Sequence, residues 1–181
     1  MASDGLVVII KKNSLPQLCI TALGGLTFAQ LCWMFSSYTA IELTDTGWSA
    51  SALANSDGND NTHLFSELSA SCPNIEIKLV GPTSAFDANS QFRETILTDF
   101  AYGETFDLLR PAGAAYSGTT TDTATINTVQ TDTTGASVGF VYFNAFNPTG
   151  ALVKAISTKK STGFINPTMS TIRAGAYPLS N

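Results

Sequence analysis

The chain has 181 residues, of which 44% are hydrophobic and only 13% are charged, and its formal net charge is −5. This length and hydrophobic share suit one domain, residues 1–181, with a substantial core. The low charged share leaves Thr, Ser, Asn and Gly to supply the polar surface, which is more typical of exported domains. The negative charge and the lack of a Lys/Arg stripe exclude a nucleic-acid partner.

The three cysteines are Cys19, Cys32 and Cys72, and their spacing fits no zinc or redox motif. Cys32 and Cys72 can form a disulfide that leaves Cys19 free, and three buried free thiols are an equal alternative. No apolar run approaches the roughly 18 residues that span a bilayer. The first four residues have no basic n-region and no apolar h-region follows them, so no signal peptide is visible. If the protein is exported, we expect its targeting segment to have been removed from this chain.

The first third of the chain alternates between clear and irregular patterns. A β-branched run at 6–10 predicts a buried strand, whereas Pro16 and two glycines predict irregular structure over 13–25. Thr27 and Gln30 have the spacing of a capping box, and apolar residues recur from Phe28 to Phe35 at helical intervals. A helix is therefore predicted there.

The rest of the chain is predicted as follows. A surface insertion covers about 49–61, a short helix 62–69, a strand 75–80, a polar strand-to-helix junction 81–96, a helix 92–102, a loop 103–121, a helix 122–131, strands 138–143 and 152–157, and a last helix that Asn166-Pro167-Thr168 opens and Gly175 ends. Strands that alternate with helices predict an α/β domain with a mixed sheet covered by helices on both faces.

Six stretches follow one another in an order that a known family shares. They are residues 6–11, L-T-F-A-Q-L at 26–31 with Phe35 and Trp48, V-G-P at 80–82 with residues 92–95, G-F-V-Y at 139–142, V-K-A-I at 153–156, and N-P-T…T-I…G-A-Y-P-L-S within 166–180. Together they resemble the second lobe of the phosphate-binding proteins that serve phosphate ABC transporters, which have the type 2 periplasmic binding fold. The resemblance implies an exported protein: periplasmic, extracellular or organelle-lumenal.

The same resemblance implies an anion site, with two departures. The family binds its ligand between two lobes, and this chain matches one lobe only, so we expect a second lobe or a partner protein to cover the cleft face. The family's S-G-T anion loop is replaced by Asn89-Ser90-Gln91, where the Ser90 hydroxyl and a helix N-terminus remain as donors. Arg110 either takes the place of the family's phosphate-binding arginine or is a surface residue.

Two functions therefore remain open at this point. One is a non-catalytic module that binds phosphate or a similar oxyanion, and the other is a structural or interaction subunit that reuses the lobe with a degenerate site. An enzyme is not expected, because His63 is the only histidine and lies beside the predicted insertion. No cofactor or metal is expected either, since the acidic residues Asp57 and Asp60 lack the ligand spacing of a calcium loop.

Overall fold

The computed structural model describes residues 5–35, 62–83, 116–146, 152–159 and 163–177. The strands in these ranges are β1 (Leu6–Lys11), β2 (Leu26–Thr27), β3 (Lys78–Pro82), β4 (Tyr116–Thr119), β5 (Ser137–Tyr142), β6 (Val153–Ala155) and β7 (Thr158–Lys159). The helices are α1 (Leu15–Ala22), α2 (Phe28–Phe35), α3 (Phe65–Leu68), α4 (Asp122–Thr131) and α5 (Met169–Arg173), with a 3₁₀ turn at Phe143–Ala145. None of these described helices is both long and apolar enough to cross a membrane.

The main sheet has five strands in the order β4-β3-β5-β1-β6. Strand β3 runs parallel to both β4 and β5, while β1 runs antiparallel to β5 and β6. The register pairs Val8 with Phe140 and Ile9 with Gly139. The sheet is therefore mixed, and the buried run at 6–10 lies inside it because both faces of β1 are covered.

Helices pack on both faces of this sheet. Successive residues of β5 point to opposite faces. A Cβ added to Gly139 would lie 3.0 Å from the side chains of Thr125 and Val129, so α4 covers that face closely. On the other face, the Phe140 ring meets the Phe35 ring of α2 edge-on at 5.3 Å. The predicted α/β class and mixed sheet are confirmed.

The prediction of irregular structure over 13–25 is wrong, because this range contains α1. Pro16 lies in the first helical turn, where a missing N–H costs nothing, and the Ser14 side chain caps the helix by accepting from Gln17 N at 3.2 Å. Gly24 and Gly25 have φ values of +88° and +138° and lie after the last helical residue. The proline and the glycines therefore bound the helix at its two ends.

The prediction of a loop over 103–121 is also wrong near the end of this range, where β4 forms. Tyr116 pairs with Leu79 and Thr119 with Pro82 in a parallel ladder. The Y-S-G-T sequence of β4 has little strand propensity. The formation of β4 therefore depends on its pairing with β3 rather than on a local preference.

Most other described elements agree with the sequence. Thr27 N donates to Gln30 Oε1 at 2.9 Å and Gln30 N donates to Thr27 Oγ1 at 3.2 Å, which confirms the capping box that opens α2. Helix α4 has the predicted bounds. Helix α5 begins at Met169, directly after its cap Thr168, so Pro167 precedes the helix. The predicted insertion at 49–61 and helix at 92–102 lie outside the described residues.

Candidate functional site

The parallel strands β3, β4 and β5 end at one edge of the sheet, which we call the carboxyl edge. Helix α4 begins at the same edge, because its first residue, Asp122, accepts a hydrogen bond from Tyr142 N at the end of β5 at 3.3 Å. In open α/β sheets, ligands bind outside the carboxyl ends of the parallel strands. The carboxyl edge is therefore the candidate functional site.

The end of β3 is held closely by its neighbours. Tyr116 donates its hydroxyl hydrogen bond to Pro82 O at 2.9 Å, and this hydroxyl is buried, which raises its pKa well above the ordinary value. A Cβ on Gly81 would lie 2.5 Å from the Tyr116 hydroxyl and 2.8 Å from the Phe140 ring. Glycine is thus required at position 81 for this packing, which holds the end of β3 closely against side chains of β4 and β5.

Threonines connect the ends of β3 and β4 to α4. Thr83 Oγ1 donates to Thr119 O at 3.2 Å, and the Thr119 and Thr125 hydroxyls share a hydrogen bond of 2.6 Å. Thr121 caps α4 by accepting from Ala124 N at 3.1 Å. Because Asp122 already places a carboxylate in the first turn, the positive end of α4 is complemented by the chain itself and suits a ligand anion poorly.

Only the first three residues of the predicted strand-to-helix junction 81–96 are described. Gly81 and Pro82 complete β3, and Thr83 follows it. The predicted anion-binding residues Asn89, Ser90, Gln91 and Arg110 all lie outside the described residues. What is established is the place from which their segment departs, in the middle of the parallel part of the sheet.

The predicted disulfide between Cys32 and Cys72 is wrong, and so is the alternative of three free thiols, because Cys72 is bonded to Cys19 with a Cα–Cα distance of 5.3 Å. A sulfur that is already in one disulfide cannot form another. The error follows from the missed helix α1, which places Cys19 in the core beside the segment that precedes β3. Cys32 belongs to α2.

His63 is enclosed in the core. Its exposed fraction is 1%, and its ring stacks on the Trp33 ring with centroids 4.0 Å apart and planes 21° apart. An imidazole in this position is screened from any substrate at the carboxyl edge. The described residues contain no cluster of His, Cys, Asp and Glu that could hold a metal ion.

A cavity of about 650 Å³ lies at the opposite edge of the sheet, where β3, β4 and β5 begin, and Asp132 lines it. The Asp132 carboxylate accepts four hydrogen bonds, from the N–H and hydroxyl groups of Thr134 and Ser137, at 2.8 to 3.0 Å. Burial would raise the pKa of Asp132, but these hydrogen bonds lower it to about 2. Since its lone pairs are all engaged, this carboxylate organises the turn into β5 and has no capacity left for a ligand.

The sequence matches no family model and no curated protein. The fold, however, matches solved structures over 99% of the chain. A possible phosphate binding protein from Planctomyces limnophilus superposes with a TM-score of 0.67 at 21% identity. An ABC-type phosphate transport receptor from Vibrio cholerae and PstS from Borrelia burgdorferi both give 0.56, at 17% and 12% identity.

The chain covers 51% to 55% of the length of these three proteins, that is, about half of each. A mixed five-stranded sheet with helices on both faces accounts for the match. The resemblance predicted from the six sequence stretches is thereby confirmed at the level of the fold. The chain has the α/β fold that accounts for about half of each of these three proteins, which is the fold of one lobe of a type 2 periplasmic binding protein.

Proposed function

We propose that the chain is a non-catalytic lobe that binds phosphate or a similar oxyanion at its carboxyl edge. The observation that carries this proposal is the position of β3, which lies between two parallel neighbours and sends the chain out of the sheet at Pro82. Ligands of open α/β folds bind where such strands end. The similar solved proteins are named for phosphate binding and phosphate transport.

The proposed ligand groups are those that the sequence indicates after β3. Asn89, Ser90 and Gln91 would offer amide, hydroxyl and backbone N–H donors, and Arg110 would pair with two oxygens of the anion. A ligand bound by one lobe alone keeps part of its hydration and lacks the contacts that closure adds. We therefore expect millimolar affinity, with a second lobe or a partner protein completing the site.

The disulfide between Cys19 and Cys72 supports a location in an oxidising compartment, because such bonds do not persist in most cytosols. Export to the periplasm, the extracellular space or an organelle lumen follows as part of the proposal. The burial of His63 against Trp33 supports a non-catalytic role, since the single histidine of the chain serves packing.

Isothermal calorimetry with inorganic phosphate tests the oxyanion site. We expect saturable heat in the millimolar range, and Arg110→Ala should weaken binding by roughly tenfold or more, as for a lost charge-assisted hydrogen bond. Arg173→Ala is the matched control, because Arg173 is an exposed arginine in the last turn of α5. It should leave the titration unchanged.

Absence of heat at millimolar phosphate, or equal loss in both arginine variants, would reject the anion site for this chain. The alternative is a structural or interaction subunit with a degenerate site. Three leucines favour it: Leu15, Leu18 and Leu152 are 66%, 54% and 63% exposed. Sedimentation at increasing protein concentration, together with a hydrophobic-dye binding assay, separates the binding function from the interaction function. A chain that stays monomeric and binds no dye contradicts the interaction role.

A further inference from the structure

A second cavity, of about 310 Å³, lies between α1 and β6. Its apolar wall comes from Ile10, Ile20 and Ile156, and its polar wall comes from Gln17, Thr21, Lys154, Ser157 and Asn166. Strand β6 is separated from β3 by β5 and β1, which is three strand spacings or roughly 14 Å. The cavity is therefore distinct from the point at which the chain leaves β3.

The Gln17 side chain is held in one orientation. It is only 4% exposed, and its Oε1 accepts from Asn13 N at 2.9 Å. Because the oxygen is fixed there, the amide nitrogen points to Thr21 Oγ1, to which it donates at 2.6 Å. Gln17 therefore contributes donors, not acceptors, on the side that faces Thr21.

The Thr21 hydroxyl accepts two hydrogen bonds. Its hydroxyl oxygen receives one hydrogen bond from Gln17 and another from Lys154 Nζ at 3.3 Å. A hydroxyl that has accepted two hydrogen bonds has only its own O–H left to offer. That O–H has no acceptor among the described residues, so it is available to donate to a third group.

The remaining polar groups also present donors. Ser157 donates its hydroxyl to Asn166 Oδ1 at 2.5 Å, which leaves the Asn166 NH₂ group available. Ser157 O already accepts from Leu26 N at 3.0 Å. Lys154 is the one charged residue among the described residues that line the cavity.

The carbonyl groups at the C-terminal end of α1 are already engaged in hydrogen bonds, so they do not change the mainly donor character of the polar wall. Those of Cys19, Ile20 and Thr21 accept from the N–H groups of residues 23–25 at 3.0 to 3.1 Å. The cavity thus combines a cation, a hydroxyl and two amide donors with an isoleucine wall. Its volume lies at the small end of ligand pockets.

We propose that this cavity binds a small organic anion, a carboxylate with a short hydrocarbon tail. The carboxylate oxygens accept from Lys154, Thr21 and the amide groups, and the tail packs on the isoleucines. Inorganic phosphate lacks the tail and gains nothing from the apolar wall. The proposal is independent of the oxyanion site.

Titration with butyrate, followed by the side-chain amide NMR signals of Gln17 and Asn166, tests the proposal. We expect saturable shifts of both signals with butyrate and none with butyramide, the uncharged analogue of the same shape. Lys154→Gln should weaken butyrate binding by roughly tenfold. Lys12→Gln removes an exposed lysine outside the cavity and should have no effect.

Thr21→Val provides a second variant, which removes the hydroxyl at nearly constant shape and should also weaken binding. Arg110→Ala should leave the butyrate titration unchanged, which separates this pocket from the oxyanion site. The proposal is overturned by absent or unsaturable shifts at tens of millimolar butyrate. Equal shifts with butyramide, or undiminished binding by both cavity variants, overturn it as well.

Discussion

Gly81 illustrates how a single residue positions the candidate site. The sixteen-residue junction 81–96 is predicted to be an anion loop because small hydroxyl and amide residues follow a strand there. In the structure, the missing side chain of Gly81, the first residue of this junction, leaves room for the Tyr116 hydroxyl and the Phe140 ring. The glycine therefore supports the strand from which the loop departs, and its contacts are internal.

Gly81→Ala should destabilise the protein by about 1 to 3 kcal/mol, because the new methyl group overlaps two side chains in a packed region. Thermal or urea unfolding measures this loss. Adding Tyr116→Phe to the alanine variant removes the 2.5 Å contact and should restore part of the stability, although Tyr116→Phe alone loses the hydrogen bond to Pro82 O. Additive losses in the double variant would contradict the overlap.

At the scale of elements, the turn from α4 into β5 depends on Asp132. Its side chain ties residues 134 and 137 together, and its carbonyl group accepts from Lys11 Nζ at 2.7 Å, which joins the turn to β1. The Lys78 ammonium lies 4.0 Å from the carboxylate. One residue thus connects α4, β5, β1 and β3.

Asp132→Asn should lower the free energy of unfolding at neutral pH by about 1 to 3 kcal/mol, because the amide nitrogen faces two donors. The pKa of Asp132 is depressed to about 2, so its stabilising effect is complete above the unfolded pKa near 4. This contribution, about 1 to 2 kcal/mol after allowance for solvent screening, is lost as pH falls towards about 2.

Urea unfolding at several pH values measures this effect. The stability gap between wild type and Asp132→Asn should narrow from pH about 5 to pH about 2. Glu76→Gln makes the same chemical change at an exposed position of the cavity that Asp132 lines. Its free energy of unfolding should stay close to that of wild type. A gap for Asp132→Asn that stays constant with pH would show that the carboxylate charge is irrelevant.

At the scale of the whole molecule, the disulfide joins parts of the chain that are far apart in sequence. Cys19 and Cys72 are 53 residues apart, and their bond links α1 to the segment just before β3. Helix α1 and strand β3 each border a proposed ligand site. The disulfide therefore connects the two parts of the fold that carry these sites.

The Cys19→Ala/Cys72→Ala double variant should lose up to about 4 kcal/mol, the loop entropy released in the unfolded state by a cross-link of this span. The midpoint of thermal unfolding should fall on the order of 10 °C. A non-reducing peptide map should show Cys19 joined to Cys72 in wild type and in Cys32→Ser. A cross-link that contains Cys32 would contradict the assignment.

Local information in the sequence was sufficient for much of the fold. The β-branched run of β1, the Thr27 and Gln30 cap of α2 and the bounds of α4 are set by contacts within a few residues, so pattern and capping chemistry determine them. The order of the motif stretches was enough to indicate the periplasmic binding fold. The α/β class and the low charge likewise follow from the sequence alone.

The tertiary structure decided what depends on residues distant in sequence. The pairing of Cys19, the formation of β4 against β3, the stacking of His63 on Trp33 and the donor-lined cavity beside Lys154 all arise where separate elements meet. A local pattern carries no information about which elements become neighbours, because that choice is made by packing the whole core. The residues of the anion loop remain a prediction from sequence, whereas strand β3, which precedes them in the chain, is defined by its neighbours in the sheet.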